Sequence, residues 1–93
     1  MTVGLLRFDI RLPEAQSLKE KRGLVKSLVT RIRNRFNVSI SEVENQDKWQ
    51  LATVAVAHVG GDSSHTNQLL DQVLDFAEAV KQVEVIHSQI EIL

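Results

Sequence analysis

The sequence predicts an α+β sandwich with element order β-α-β-β-α-β, and three observations predict it. Leu6, Phe8, Ile10 and Leu12 alternate with Arg7, Asp9 and Arg11, the period-two pattern of a half-buried strand. Two later segments repeat apolar residues at helical spacing, each set between extended runs. Between them, LATVAVA is apolar or small on both faces, as in a central strand covered from both sides.

The first strand is expected over Val3 to Leu12. Pro13 removes a ladder donor and marks its exit. Ser17 followed by Glu20 has the form of a capping box, in which each side chain satisfies an orphan backbone donor, so the first helix opens there. Leu18, Val25, Leu28, Val29, Ile32 and Phe36 form its apolar stripe, and Asn37 ends it. Gly23 falls on the solvent side, at a cost of up to ~1 kcal/mol relative to Ala, tolerable in a helix anchored by packing.

Val38 to Glu44 is the second strand. Asn45-Gln46-Asp47-Lys48 has turn chemistry and the length of a hairpin connection. The third strand runs from Trp49 to Val59 and breaks at Gly60-Gly61-Asp62. The second helix covers about Ser64 to Lys81, with Leu70, Val73, Leu74, Ala77 and Val80 facing inward. Val83 to Leu93 closes the chain as a strand in which Ile86, Ile90 and Ile92 share parity. Right-handed crossovers and the central hairpin arrange these strands as a four-stranded antiparallel sheet, order 4-1-3-2, with both helices on one face. This is the ferredoxin-like architecture, which hosts many unrelated functions.

The length of 93 residues suits one domain, residues 1–93. With 43% hydrophobic and 25% charged residues, the composition is that of an ordinary soluble protein. No apolar run approaches the ~20 residues of a membrane span, and no basic-then-apolar leader opens the chain, so the expected location is the cytoplasm. Without cysteine, disulfides, thiolate metal sites and cysteine nucleophiles are excluded.

Charge is unevenly distributed. Residues 17–36 hold seven of the eleven basic residues and one of the twelve acids, which places +6 on one helix of a chain whose net charge is −1. On a helical wheel with Leu18 at zero, Lys19, Arg22, Lys26 and Arg33 fall between about 40° and 100°. Arg31 and Arg35 lie on the opposite flank, and Lys21 lies closer to the apolar seam. Small or polar residues, Gly23, Ser27, Thr30 and Asn34, occupy the outer face between the flanks. A cationic stripe beside small residues suits the phosphate backbone of RNA. The competing reading is a solvated face whose long side chains cover a sheet edge.

The segments AQSLKEKRGLVKSL and RFNVSISEVENQDKWQ resemble the YlxP-like family of small uncharacterised bacterial proteins, and the likeness extends over nearly the whole chain. The resemblance implies the ferredoxin-like fold. Because the family's genes often sit beside those for translation initiation and ribosome maturation, it also implies a ribosome or RNA connection. It supplies no catalytic residues. Where relatives commonly carry Arg after the Trp-Gln pair, this chain has Leu51, so no basic contact is expected there.

The remaining chemistry-bearing residues offer less. Asp71, Asp75 and Glu78 make an acidic stripe on the second helix, which is read as solvated carboxylates, since no pocket-forming partners accompany them. His58, His65 and His87 lack ligand spacing, and no metal or cofactor is expected. Gly60-Gly61 precedes a helix without a phosphate-loop pattern, and Ser63 and Ser64 are read as helix caps. With the central strands poor in aromatic residues, base stacking on the sheet surface is not expected. Trp49 is either an interaction anchor or a ring packed over the open end of the core. Ala52, Val54 and Val56 share one face of the central strand and Leu51, Ala55 and Ala57 the other; Val54 and Val56 are assigned, with Trp49, to a homodimer contact through the uncovered sheet face. The expected function is a non-enzymatic RNA- or ribosome-associated module. The alternative is a protein-interaction or self-assembly module.

Overall fold

The computed structural model describes all of residues 1–93, in the order β1 (Thr2–Arg11), α1 (Leu18–Arg35), β2 (Ser39–Glu44), β3 (Leu51–Gly60), α2 (Ser63–Glu78) and β4 (Glu84–Ile92). The four strands form one antiparallel sheet ordered β2-β3-β1-β4, the predicted topology. Both helices cover one face. Leu6, Phe8 and Ile10 of β1 lie beside Val56, Val54 and Ala52 of β3 and beneath Leu28 and Ile32 of α1 and Leu70, Val73 and Ala77 of α2. Burying these side chains is the principal driving force for the fold, at about 1.5–3 kcal/mol for each large one.

Ser17 caps α1 as its sequence suggests, its hydroxyl accepting from Glu20 N–H at 3.1 Å. The reciprocal arm of the box differs. Glu20 Oε2 accepts from the backbone of Gln16, one residue earlier than the usual partner. The N-cap of α2 is Asp62, whose carboxylate accepts from His65 N–H at 2.8 Å. Ser63 and Ser64 are therefore first-turn residues, and the expected caps are corrected by one position. The Asp62 carboxylate already occupies the donor end of that helix, where an anion would otherwise be favoured.

Two boundaries and one strand register also differ from expectation. β3 begins at Leu51, so the connection from β2 spans residues 45–50 and leaves Trp49 outside the ladder. α2 ends at Glu78, because successive turns at Ala77–Val80 and Val80–Val83 direct both valines into the core. In β4 the pairing shifts between Asp9↔His87 and Ile10↔Val85, so Val85 rather than Ile86 stands opposite Ile10. The irregularity breaks the parity that Ile86, Ile90 and Ile92 were expected to share.

The same alternation decides which residues line the uncovered face. Val54 and Val56 are fully buried under the helices, at 0% exposure, so their assignment to an open-face contact is incorrect. The uncovered face of β3 instead carries Leu51, Thr53, Ala55, Ala57 and Val59, opposite Arg11, Asp9, Arg7, Leu5 and Val3 of β1. A strand that is apolar on both sides offers no parity signal, and only the register with β1 separates the two faces.

Candidate nucleic-acid interface

The basic residues of α1 separate into three groups. Lys21 is wholly buried, its ammonium 2.6 Å from Glu42 Oε2 and donating at 2.8 Å to the Asn45 carbonyl. This cation belongs to the core and not to a surface for partners. A buried charge persists only with a close counter-charge and satisfied donors, and both are present. Asn45 extends the network: its Nδ2 donates to Thr53 Oγ1 at 2.8 Å, and that hydroxyl donates to Asp9 Oδ1 at 2.6 Å. Asn45 has φ 64°, a left-handed conformation that asparagine tolerates better than most residues. One polar chain thus ties α1 to the β2–β3 connection and through β3 to β1.

Arg31 and Arg35 face α2. Their guanidinium carbons stand 5.4 Å and 5.5 Å from the Phe76 ring centroid, and Arg35 also lies 5.8 Å from that of Phe36. The two phenyl rings meet edge to face at 6.1 Å, closing the groove between the helices.

Lys19, Arg22, Lys26 and Arg33 make up the third group. All four are exposed on one flank of α1, about 140° to 180° round the helix from Arg35. None forms an ion pair, since the three salt bridges are Arg7–Glu44, Arg11–Glu84 and Lys21–Glu42. Arg33 makes one hydrogen bond, from Nη2 to the Ile40 carbonyl at 3.2 Å, which places this flank beside the edge strand β2. From Lys19 to Arg33 the ridge extends about 21 Å along the helix axis. Ser27, Thr30 and Asn34 stand exposed next to it, and a side chain at Gly23 would meet no atom within 4 Å.

Two of the three acidic residues of α2 lie on the far side of the helical layer. Phe76 faces α1, Asp71 and Glu78 fall about 140° and 160° round α2 from it, and Asp75, about 100° round, lines the groove shared with Arg35 and Phe36; all three are exposed. The helical layer therefore carries positive charge on its β2 flank and negative charge on its β4 flank.

The histidines do not converge. His58 is buried on the helix-covered face with Nδ1 3.2 Å from Thr66 Oγ1, and the His65 ring meets it edge-on at 6.1 Å. His87 is on the other face, opposite Asp9. No three histidine or carboxylate side chains group as metal ligands, and no helix is long and apolar enough to cross a membrane.

The uncovered sheet face has two halves. One is polar, with exposed Arg7–Glu44 and Arg11–Glu84 pairs and the buried Thr53 hydroxyl on Asp9. The other is apolar, with Leu5 38%, Val59 65% and Leu93 66% exposed around the half-buried Ala55 and Ala57. Trp49 is 56% exposed, so its ring is not packed over the end of the core.

The buried network was not anticipated, although the sequence contains a signal for it. Lys21 falls within the apolar stripe of α1 on the helical wheel, and Glu42 shares the inward parity of Ile40. A cation and a carboxylate on two faces that both point inward are candidates to meet.

Comparison with known proteins bears on the fold and on the family. A de novo designed protein, Foldit4, superposes with a TM-score of 0.53 at 16% identity, covering 98% of this chain and 96% of its own, a likeness of fold alone. The uncharacterized protein YlxP of Bacillus subtilis (strain 168) is 38% identical over 82 residues, 88% of this chain and 89% of that protein. The family model described as protein of unknown function (DUF503) matches residues 3–90, from the first strand of the sheet into the last. The family-model match and the identity to YlxP, each over most of the chain, show that the chain belongs to this YlxP-like DUF503 family.

Proposed function

We propose that the protein is a non-enzymatic, cytoplasmic RNA-binding module that lays the exposed flank of α1 along the phosphates of structured RNA, free or within the ribosome. One observation carries the reading: Lys19, Arg22 and Lys26 are exposed, aligned and unpaired with any carboxylate, and Arg33 continues their line. Because no carboxylate neutralises this ridge, phosphates need displace no ion-pair partner, and the counterions condensed on the RNA are released on binding. Recognition is led by backbone and shape, because the sheet presents no aromatic pair for base stacking. The acidic flank of α2 opposes approach from the other side and so orients the protein on a polyanion.

Binding of a fluorescent RNA hairpin, followed by anisotropy across a salt series, tests the proposal. Four phosphate contacts give a slope of log K against log salt of about −3.6. The Lys19→Glu/Arg22→Glu variant is expected to lose most binding at moderate salt and to flatten the slope by about 2. Unchanged binding in this variant rejects the reading. Recovery of ribosomal particles from a lysate that disappears with nuclease treatment is the matching result in the cell.

A second reading has its own observation. Leu5, Val59 and Leu93 form an exposed apolar patch with Ala55 and Ala57, whose small side chains leave the sheet flat. This patch supports self-association through the open face, with these residues in the place first given to Val54 and Val56. Sedimentation should then record a dimer that Ala57→Asp dissociates, whereas a monomer at high concentration rejects it. The two readings use opposite faces and are compatible.

A further inference from the structure

Trp49 is the only tryptophan, and the chain has no tyrosine. Its indole is more than half exposed, yet the loop that carries it is tied down on both sides. Before it, Lys48 N–H donates to the Asn45 carbonyl at 3.1 Å, the oxygen that also accepts from Lys21 of α1. After it, Gln50 Nε2 donates to the carbonyls of Pro13 at 3.3 Å and Ala15 at 3.1 Å, while its own carbonyl accepts from Leu12 N–H at 2.9 Å. These anchors are the first turns of α1 and the segment leading into them. The backbone that carries the indole is therefore held beside the segment leading into α1, whose N-terminal end is where Lys19 and Arg22 begin the cationic ridge.

A large flat ring on a loop already ordered has little conformational freedom left to lose on binding. Its exposed π-face at the end of a phosphate-binding ridge has the chemistry of a stacking platform for nucleobases. Bases inside an A-form duplex are stacked on both sides, whereas an unpaired base beside the duplex can be splayed out to offer its face. Lys48 adds a cation beside the ring, offset by the neighbouring Asp47. We propose that Trp49 stacks on an unpaired base flanking the RNA segment held by Lys19, Arg22 and Lys26, so that the preferred ligand carries an overhang, bulge or loop junction rather than being paired throughout. This inference rests on the ridge reading of α1 and specifies which RNA that ridge takes.

Two RNAs test it: a blunt duplex of about a dozen base pairs, longer than the ~21 Å ridge, and the same duplex with a single-stranded adenosine overhang. Affinity is read from a dye on the RNA, and stacking from quenching of the single indole. The overhang is expected to bind about 5- to 150-fold tighter than the blunt duplex and to quench the emission. Trp49→Ala should remove the advantage of the overhang, bringing its affinity down to that of the blunt duplex. Equal affinities with unquenched emission overturn the stacking inference while leaving the ridge reading intact. No binding of either RNA at low salt overturns both, and would leave the exposed indole to a protein partner.

Discussion

Lys21 and Lys19 are two residues apart on one helix, and replacing each should have opposite consequences. Lys21→Met keeps most of the buried side-chain volume but strands Glu42, whose side chain is only 17% exposed, without its cation. It also removes one of the two donors to the Asn45 carbonyl. Breaking a buried pair from one side costs about 3–5 kcal/mol; the partial water access of Glu42 places this one near 3 kcal/mol. Against a total stability of about 5–15 kcal/mol, that is a large share. For a domain of this size it lowers Tm by roughly 12–24 °C. Lys19→Met touches no partner and should change stability by less than about 0.5 kcal/mol while weakening RNA binding. The double variant Lys21→Met/Glu42→Leu replaces the pair by apolar groups and should recover to within about 1 kcal/mol of the parent. Thermal melts and urea titrations followed by circular dichroism measure all four proteins. If Lys21→Met costs no more than Lys19→Met, or the double variant is no more stable than Lys21→Met alone, the buried pair does not have the role assigned to it.

Gly4→Ala tests the close approach of α2 to β1. An added Cβ would stand 2.5 Å from Thr66 Cγ2 and 2.9 Å from Leu70 Cδ1, so overpacking should cost about 1–3 kcal/mol in a urea titration. Val54→Asp places a carboxylate in the core and should abolish the cooperative melt, whereas Ala57→Asp, on the open face, should leave it nearly unchanged. Asn45→Ala forfeits both the amide bond to Thr53 and the residue type suited to φ 64°, for an expected loss of about 1–3 kcal/mol; Asn45→Gly, which relieves the backbone term, should lose less. Lys26→Gln/Arg33→Gln should flatten the salt slope of RNA binding by about 2 while costing no more than about 1 kcal/mol of stability, the worth of the bond from Arg33 to the Ile40 carbonyl, read by anisotropy and melting together.

Periodicity made much of this protein legible before its structure. Alternation in β1, the apolar stripes of α1 and α2 and the Ser17–Glu20 cap are local patterns, dictated by which side chains repeat on one face, and they identified every element and the sheet order. The cationic flank was legible for the same reason, because the wheel angle of an exposed residue follows from spacing alone. Three features were settled only when distant segments came together. Which face of β3 is buried depends on its register with β1, and a strand apolar on both sides is silent about that; Val54 and Val56 were accordingly assigned to the wrong face. Lys21, which spacing alone sets only closer to the apolar seam than the other cations, becomes a core residue through a carboxylate 21 positions away on β2. The loop that carries the exposed Trp49 is anchored by hydrogen bonds that Gln50 makes to Pro13 and Ala15, more than thirty residues back along the chain. Local spacing determines an element and its faces; which face is covered, and which charges find partners, is decided by long-range pairing, because burial and ion pairing are properties of contacts between segments.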